Sequence, residues 1–166
     1  MYHVKQMQGL DYILKSITNI EQANFYNKKI QLVVDIDSKL WRGDFLVRDN
    51  GTVLQRDYTS STGRSEINEY YPSDDTPILM EAEKAYRYTL PQYDYLPNPY
   101  IGMTDLHILY YHLIKALNKM NVDEDTKSNF YSYLYNAVSL DGTIELPFLD
   151  VSGKKIDLVS IVEVKE

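Results

Sequence analysis

The apolar residues of this chain change their spacing between residues 20 and 32, and that change limits what the chain can fold into. Leu10, Ile13, Leu14, Ile17 and Ile20 follow the i, i+3, i+4, i+7 pattern of one helix face and predict a helix from about Leu10 to Asn24. After Asn27-Lys28-Lys29 the period becomes two. Leu32, Val34 and Ile36 fall on one side of a strand, with Gln31, Asp35 and Asp37 among the residues on the other. Asp37-Ser38-Lys39 reads as a turn into a second strand, where Trp41, Phe45 and Val47 alternate with Arg42, Asp44, Leu46 and Arg48. Asp49-Asn50-Gly51 is a hairpin signal before a third strand, Thr52 to Tyr58, which completes a three-stranded antiparallel meander.

The rest of the chain adds helices and two more strands. Thr59 to Thr76 is rich in Ser, Thr, Asp and Glu and reads as a long surface loop. Pro77 suits the first turn of a helix to about Tyr88, which Pro91 limits. Pro91, Pro97 and Pro99 make the following segment, to about residue 101, an extended connector. Thr104 is a suitable N-cap for a helix with the stripe Leu106, Leu109, Tyr110, Leu113, Leu117 and Met120, and with Asp105, His112, Lys115 and Lys119 outward. Asp123, Glu124 and Asp125 suit the first turn of another helix, in which Phe130, Leu134, Ala137 and Val138 face inward. Strands from Thr143 to Asp150 and from Ile156 to Val164 form a hairpin around Ser152-Gly153-Lys154, and Pro147 marks the first as an edge or bulged strand. The expected fold is α+β. An antiparallel sheet, built from the N-terminal meander and the C-terminal hairpin, carries three to four helices in one domain spanning 1–166.

Composition narrows the chemistry. The absence of Cys excludes disulfides, thiolate nucleophiles, zinc fingers and iron–sulfur clusters. Apolar runs such as Ile108 to Ile114 contain Tyr or His and fall short of the roughly 20 residues of a membrane span. The start, Met1 to Gln6, leads into Gln8, Gly9 and Asp11 rather than the apolar stretch of a secretory signal, so a soluble cytoplasmic protein is expected. Ile, Asn, Tyr and Lys supply 51 residues against 23 for Ala, Gly, Arg and Pro, the skew of AT-rich codons. It suggests a low-GC bacterium or one of its phages or plasmids.

Catalytic constellations are weak. Asp35, Asp37 and Asp44 lie on adjacent strands where carboxylates can collect Mg²⁺ or Ca²⁺, but Lys39 and Arg42 are placed to pair with them. His107 and His112, five apart on a helix, point about 140° from each other and are not the i, i+4 pair of a metalloprotease. No Gly-x-Ser-x-Gly elbow or phosphate-binding Gly-rich loop occurs. Arg42-Gly43-Asp44 falls inside a strand, Asn50-Gly51-Thr52 is explained by its turn, and Pro91, Pro97 and Pro99 lack a Pro-x-x-Pro register. The reading is a protein with no catalytic residues, metal or cofactor.

Two surface constellations remain. The formal charge of −7 is unevenly spread: residues 1–64 hold nine Lys or Arg against seven Asp or Glu, and residues 65–166 hold eight against seventeen. Nine of the 16 tyrosines lie between residues 65 and 111, in the same acidic part. Glu66, Glu69, Tyr70, Tyr71, Asp74, Asp75, Tyr93, Asp94 and Tyr95 therefore form a candidate partner-binding surface. Tyrosine offers contact area at small entropic cost, and carboxylates take the places of phosphates on a basic partner. This predicts a binding protein or inhibitor of the anti-CRISPR or antirestriction type, encoded by a phage or mobile element. The alternative constellation is Lys39, Trp41, Arg42, Arg48, Arg56 and Tyr58 on the meander, where rings stack bases and cations hold phosphates of a nucleic acid. A structural subunit of a phage or mobile-element assembly is a further alternative.

Overall fold

A computed structural model describes residues 2–19, 24–46, 76–89, 105–120 and 133–165. In chain order these form α1 (Val4–Thr18), β1 (Ile30–Ile36), β2 (Lys39–Asp44), α2 (Thr76–Thr89), α3 (Leu106–Lys119), β3 (Tyr133–Ser139), β4 (Glu145–Asp150) and β5 (Asp157–Glu163). The class is the expected α+β, with three helices and a five-stranded antiparallel sheet among the described residues.

α1 starts and stops about six residues earlier than its strongest apolar stripe suggested. His3 caps it: the imidazole Nδ1 accepts from Lys5 N at 3.2 Å, and the Gln6 side chain accepts from His3 N at 2.9 Å. Val4 and Met7 extend the stripe backward, and both are buried. The helix is enclosed on nearly every side, so the polar positions Lys5, Gln8, Asp11 and Lys15 are buried along with Leu10, Ile13, Leu14 and Ile17. α1 packs tightly against α2 where Gly9 meets Ala82. A Cβ added at Gly9 would stand 2.8 Å from the Ala82 Cβ.

The sheet order is β4-β3-β2-β1-β5. β1 and β2 are joined by a two-residue turn, Asp37 (φ 53°) and Ser38 (φ 66°), with Ile36 opposite Lys39. Two successive left-handed residues make a type I′ turn, whose twist suits a hairpin. Leu32, Val34, Ile36 and Trp41 point into a core shared with α1, where burial of each such side chain contributes about 1.5–3 kcal/mol.

Two expectations are corrected, and a third falls on residues that are not described. The partner of β2 opposite β1 is β3, Tyr133–Ser139, and that segment is a strand where helical spacing was expected. The expected third strand, Thr52 to Tyr58, lies outside the described residues. β4 and β5 are not paired with each other but occupy opposite edges. Among the described residues β4 is an edge strand, the first of the two alternatives that Pro147 offered, since proline supplies no N–H to an outer partner.

The short β4–β5 link also sets the sheet's shape. β4 ends beside Tyr133, at one end of the sheet, whereas β5 begins beside Asp35 at the other. In a flat sheet those points would be about 27 Å apart, from four interstrand spacings and one strand length. Lys154 N donates to Val151 O at 3.1 Å in a turn, so the link reaches no more than about 22 Å. The sheet must therefore coil and bring its edges toward one another. Val151 and Ile156 in the link are fully buried, Lys154 pairs with Asp37 at the β1–β2 turn, and Ile156 exchanges backbone hydrogen bonds with Tyr2.

Candidate functional site

The described residues hold two unusual regions. The first is a cluster of buried charge where the end of α1 meets the end of β2. Asp11 and Lys15 stand one helical turn apart, on the same face, with Lys15 Nζ 3.2 Å from Asp11 Oδ1. Asp44, the last residue of β2, accepts from Lys15 Nζ at 2.8 Å. Its Oδ1 also accepts from Gln31 Nε2 at 3.3 Å and its Oδ2 from Asn136 Nδ2 at 3.4 Å. Arg42 donates to Gln31 Oε1 at 2.9 Å and orients the amide. The second Asp11 oxygen accepts the backbone N–H groups of Phe45 and Leu46, at 2.9 and 3.1 Å. Both carboxylates are fully buried and Lys15 nearly so.

Burial opposes every one of these charges, and the outcome differs by residue. Burial would lower the Lys15 ammonium, but Asp11 and Asp44 outweigh it and hold Lys15 above its ordinary value. Burial would likewise raise Asp44, yet Lys15 and the donors Gln31 and Asn136 hold it below. Asp11 goes the other way: burial, with the Asp44 charge added, raises it despite Lys15 and the Leu46 N–H. At neutral pH Lys15 is thus an ammonium rather than an amine nucleophile. The cluster fastens α1 to β2. A cavity of about 250 Å³ opens beside it, lined by Lys15, Thr18, Asn27, Lys28, Lys29 and Asp44 among others.

The second region is the outer face of the β3–β4 hairpin. Leu134, Ala137, Leu146 and Leu149 turn toward the core. Tyr133, Tyr135 and Phe148 lie on the other side, where the two tyrosines are half-buried and Phe148 is 56% exposed. Tyr135 sits directly opposite Phe148, and Asp150 opposite Tyr133. The Tyr133 ring meets Tyr135 and Phe148 edge-on, with centroids 5.8 and 5.4 Å away. Glu145 and Asp150 are exposed at the two ends of β4. The turn joining the strands is braced by Asp141, which accepts from the Ser139 hydroxyl at 2.7 Å and from Thr143 N at 3.0 Å. Those bonds, with one from the Thr143 hydroxyl, lower its carboxyl to about 2.

The sequence-predicted residues are distributed as follows. Glu66, Glu69, Tyr70, Tyr71, Asp74, Asp75, Tyr93, Asp94 and Tyr95 lie outside the described residues, as do Arg48, Arg56 and Tyr58. Trp41 is only 6% exposed and belongs to the core, so its ring offers no face for a base. Lys39 stands over it, Nζ 5.3 Å from the ring centroid. Asp35, Asp37 and Asp44 are not gathered: Asp37 pairs with Lys154, and Asp44 is sealed against Lys15. Among the described residues no group of three or more His, Asp or Glu side chains is placed to hold a metal ion. His112, expected on the outer face of α3, is buried, because α3 is covered over a broader face than its aliphatic stripe indicates. α3 is capped by Asp105, whose carboxylate accepts from His107 N at 2.9 Å, rather than by Thr104. Arg42-Gly43-Asp44 is closed to any receptor, since Asp44 is buried and a Cβ at Gly43 would lie 2.7 Å from Tyr135 O.

The buried cluster escaped sequence reading because Asp11 and Lys15 resemble an ordinary solvent-facing helix pair. The chain matches no family model, no curated protein and no solved structure. Among the described residues no helix is long and apolar enough to cross a membrane.

Proposed function

We propose that this protein is a small acidic binding protein without catalytic activity, which engages a basic nucleic-acid-handling protein. Its partner surface is the acidic, tyrosine-rich stretch comprising Glu66, Glu69, Tyr70, Tyr71, Asp74, Asp75, Tyr93, Asp94 and Tyr95. The observation that supports this best is the partition of charge: residues 65–166 carry seventeen acids against eight bases, and the tyrosines collect with the acids. A negative field attracts a basic partner and repels nucleic acid. The burial of Trp41 weighs in the same direction, since it removes a ring from the alternative base-stacking surface. An inhibitor encoded by a phage or mobile element is one concrete form of the reading.

The test compares the full chain with a variant in which Glu66, Glu69, Asp74 and Asp75 are replaced by Ser. Partners captured from the native host by the wild type are expected to be lost or strongly reduced with the variant, while its thermal melt stays unchanged. Equal capture by a folded variant refutes the acidic surface. Micromolar binding of single-stranded DNA or RNA at physiological salt, with a steep salt dependence, would move the function to the nucleic-acid reading.

A further inference from the structure

We infer that the outer face of the β3–β4 hairpin is a docking surface for an arginine-bearing segment of a protein partner. The inference rests on the proposal of a basic partner and deepens it by adding residues of the β3–β4 hairpin to those of the acidic stretch. It stands on three features of the described residues. Three aromatic rings, the exposed Phe148 and the half-buried Tyr133 and Tyr135, form a contiguous edge-to-face cluster on the outer side of the hairpin at the β4 edge. Carboxylates bracket it: Asp150 stands across from Tyr133, and Glu145 is at the other end of β4. Of the neighbouring cations, Arg42, opposite Val138, is bonded to Gln31, and Lys154, whose charge adds to the Ser152 bonds in lowering the Asp150 carboxyl, is paired with Asp37.

The chemistry of that arrangement selects the occupant. Ring faces carry negative electrostatic potential and attract a guanidinium, which stacks on an aromatic plane and at the same time donates to a carboxylate in a fork geometry. An ammonium is more strongly hydrated and gains less from the ring. A second copy of this chain is the wrong occupant, because each copy carries a formal charge of −7. The surface is also held ready. The Asp141 bonds fix the turn, and Asn136, in the left-handed region at φ 51°, ties the bend of β3 to the buried Asp44. Binding there requires little ordering.

The test is a titration of the isotope-labelled full chain with an oligo-arginine peptide and with an oligo-lysine peptide of equal length, followed by NMR. Oligo-arginine is expected to shift amides of Tyr133 to Asp150 and to bind roughly three- to fivefold more tightly than oligo-lysine. Phe148→Leu keeps an apolar side chain but removes the ring. Asp150→Asn removes a charge while keeping an oxygen to accept from Ser152 N. Each is expected to weaken oligo-arginine binding roughly threefold, with the cooperative thermal melt of a folded chain retained. Equal affinity for the two peptides, shifts confined to other parts of the chain, or shifts at this face that grow with protein concentration and no peptide would each overturn the inference. If the Glu66, Glu69, Asp74 and Asp75 variant loses the host partner while Phe148→Leu binds oligo-arginine as well as wild type does, the proposed function survives and this inference fails. The reverse pattern keeps the hairpin surface and refutes the acidic stretch.

Discussion

The seam between α1 and β2 and the outer face of the β3–β4 hairpin invert the usual placement of side chains. At the seam, Asp11, Lys15 and Asp44 are buried; on the hairpin, Phe148 is exposed beside the half-buried rings of Tyr133 and Tyr135. A buried ion cluster is a costly way to join two elements, because desolvation offsets much of the attraction between its members. It is, however, demanding about geometry: each oxygen of Asp11 and Asp44 has a specified donor or cation. Exposed rings demand little of the fold, and their loss leaves the core filled. The two regions touch through Asn136, which bends β3 beside the rings and donates to Asp44. Changes at the seam should therefore appear as lost stability, and changes on the hairpin as lost binding.

The strongest attempt to break that contrast is Lys15→Met. It leaves two buried carboxylates facing each other without their cation, and the expected loss is about 3–5 kcal/mol in urea denaturation. A loss below about 1 kcal/mol would mean that the seam tolerates the change as a surface does.

The pH dependence of stability sharpens the same point. Asp44 is held below its ordinary 3.8, so its contribution is present above that pH and disappears as the pH falls through its lower folded value. Lys15 is held above its ordinary 10.5, so its contribution is present below that pH and disappears as the pH rises through the higher folded value. Asp11 is raised by burial and favours the folded chain when protonated, which blunts the acid loss. Denaturation below pH 3.8 should show a smaller acid-side loss in Asp44→Asn than in wild type. Equal losses would show that Asp44 is not the charge that matters.

Gly43 lies between the two regions, and Gly43→Ala is the next largest effect. The new methyl would meet Tyr135 O at 2.7 Å and Leu134 Cδ1 at 2.9 Å, which should cost about 1–3 kcal/mol by forcing β2 and β3 apart. An unchanged melting temperature would show that the β2–β3 contact yields freely. The smallest effect is expected for Phe148→Ala, since only the cross-strand ring pairs are lost, at about 0.2–1 kcal/mol. A loss above 2 kcal/mol would place Phe148 in the core and dissolve the contrast.

How much of this was legible in the sequence depended on whether local spacing and the tertiary environment agreed. They agreed for β1 and its turn, for α2 between Thr76 and Thr89, and for Pro147 at a sheet edge. They disagreed at β3. Leu134 and Ala137 are three apart and both point inward, as on a helix, because the strand bends at Asn136 and its register with β2 shifts there. An interrupted strand thus carries the spacing of a helical turn.

The sequence by itself determined the α+β class, the helix and strand periods, the acidic balance and the exclusion of thiol chemistry, since these follow from composition and from contacts between near neighbours in the chain. Only the tertiary structure decided that β4 and β5 take opposite edges of a coiled sheet, that Trp41 and His112 turn inward, and that Asp11, Lys15 and Asp44 share one buried cluster. Each of these depends on residues far apart in sequence. Burial and charge pairing across such distances are properties of the packed chain: an apolar stripe marks the face of a helix that is covered, but not how far around the helix that cover extends.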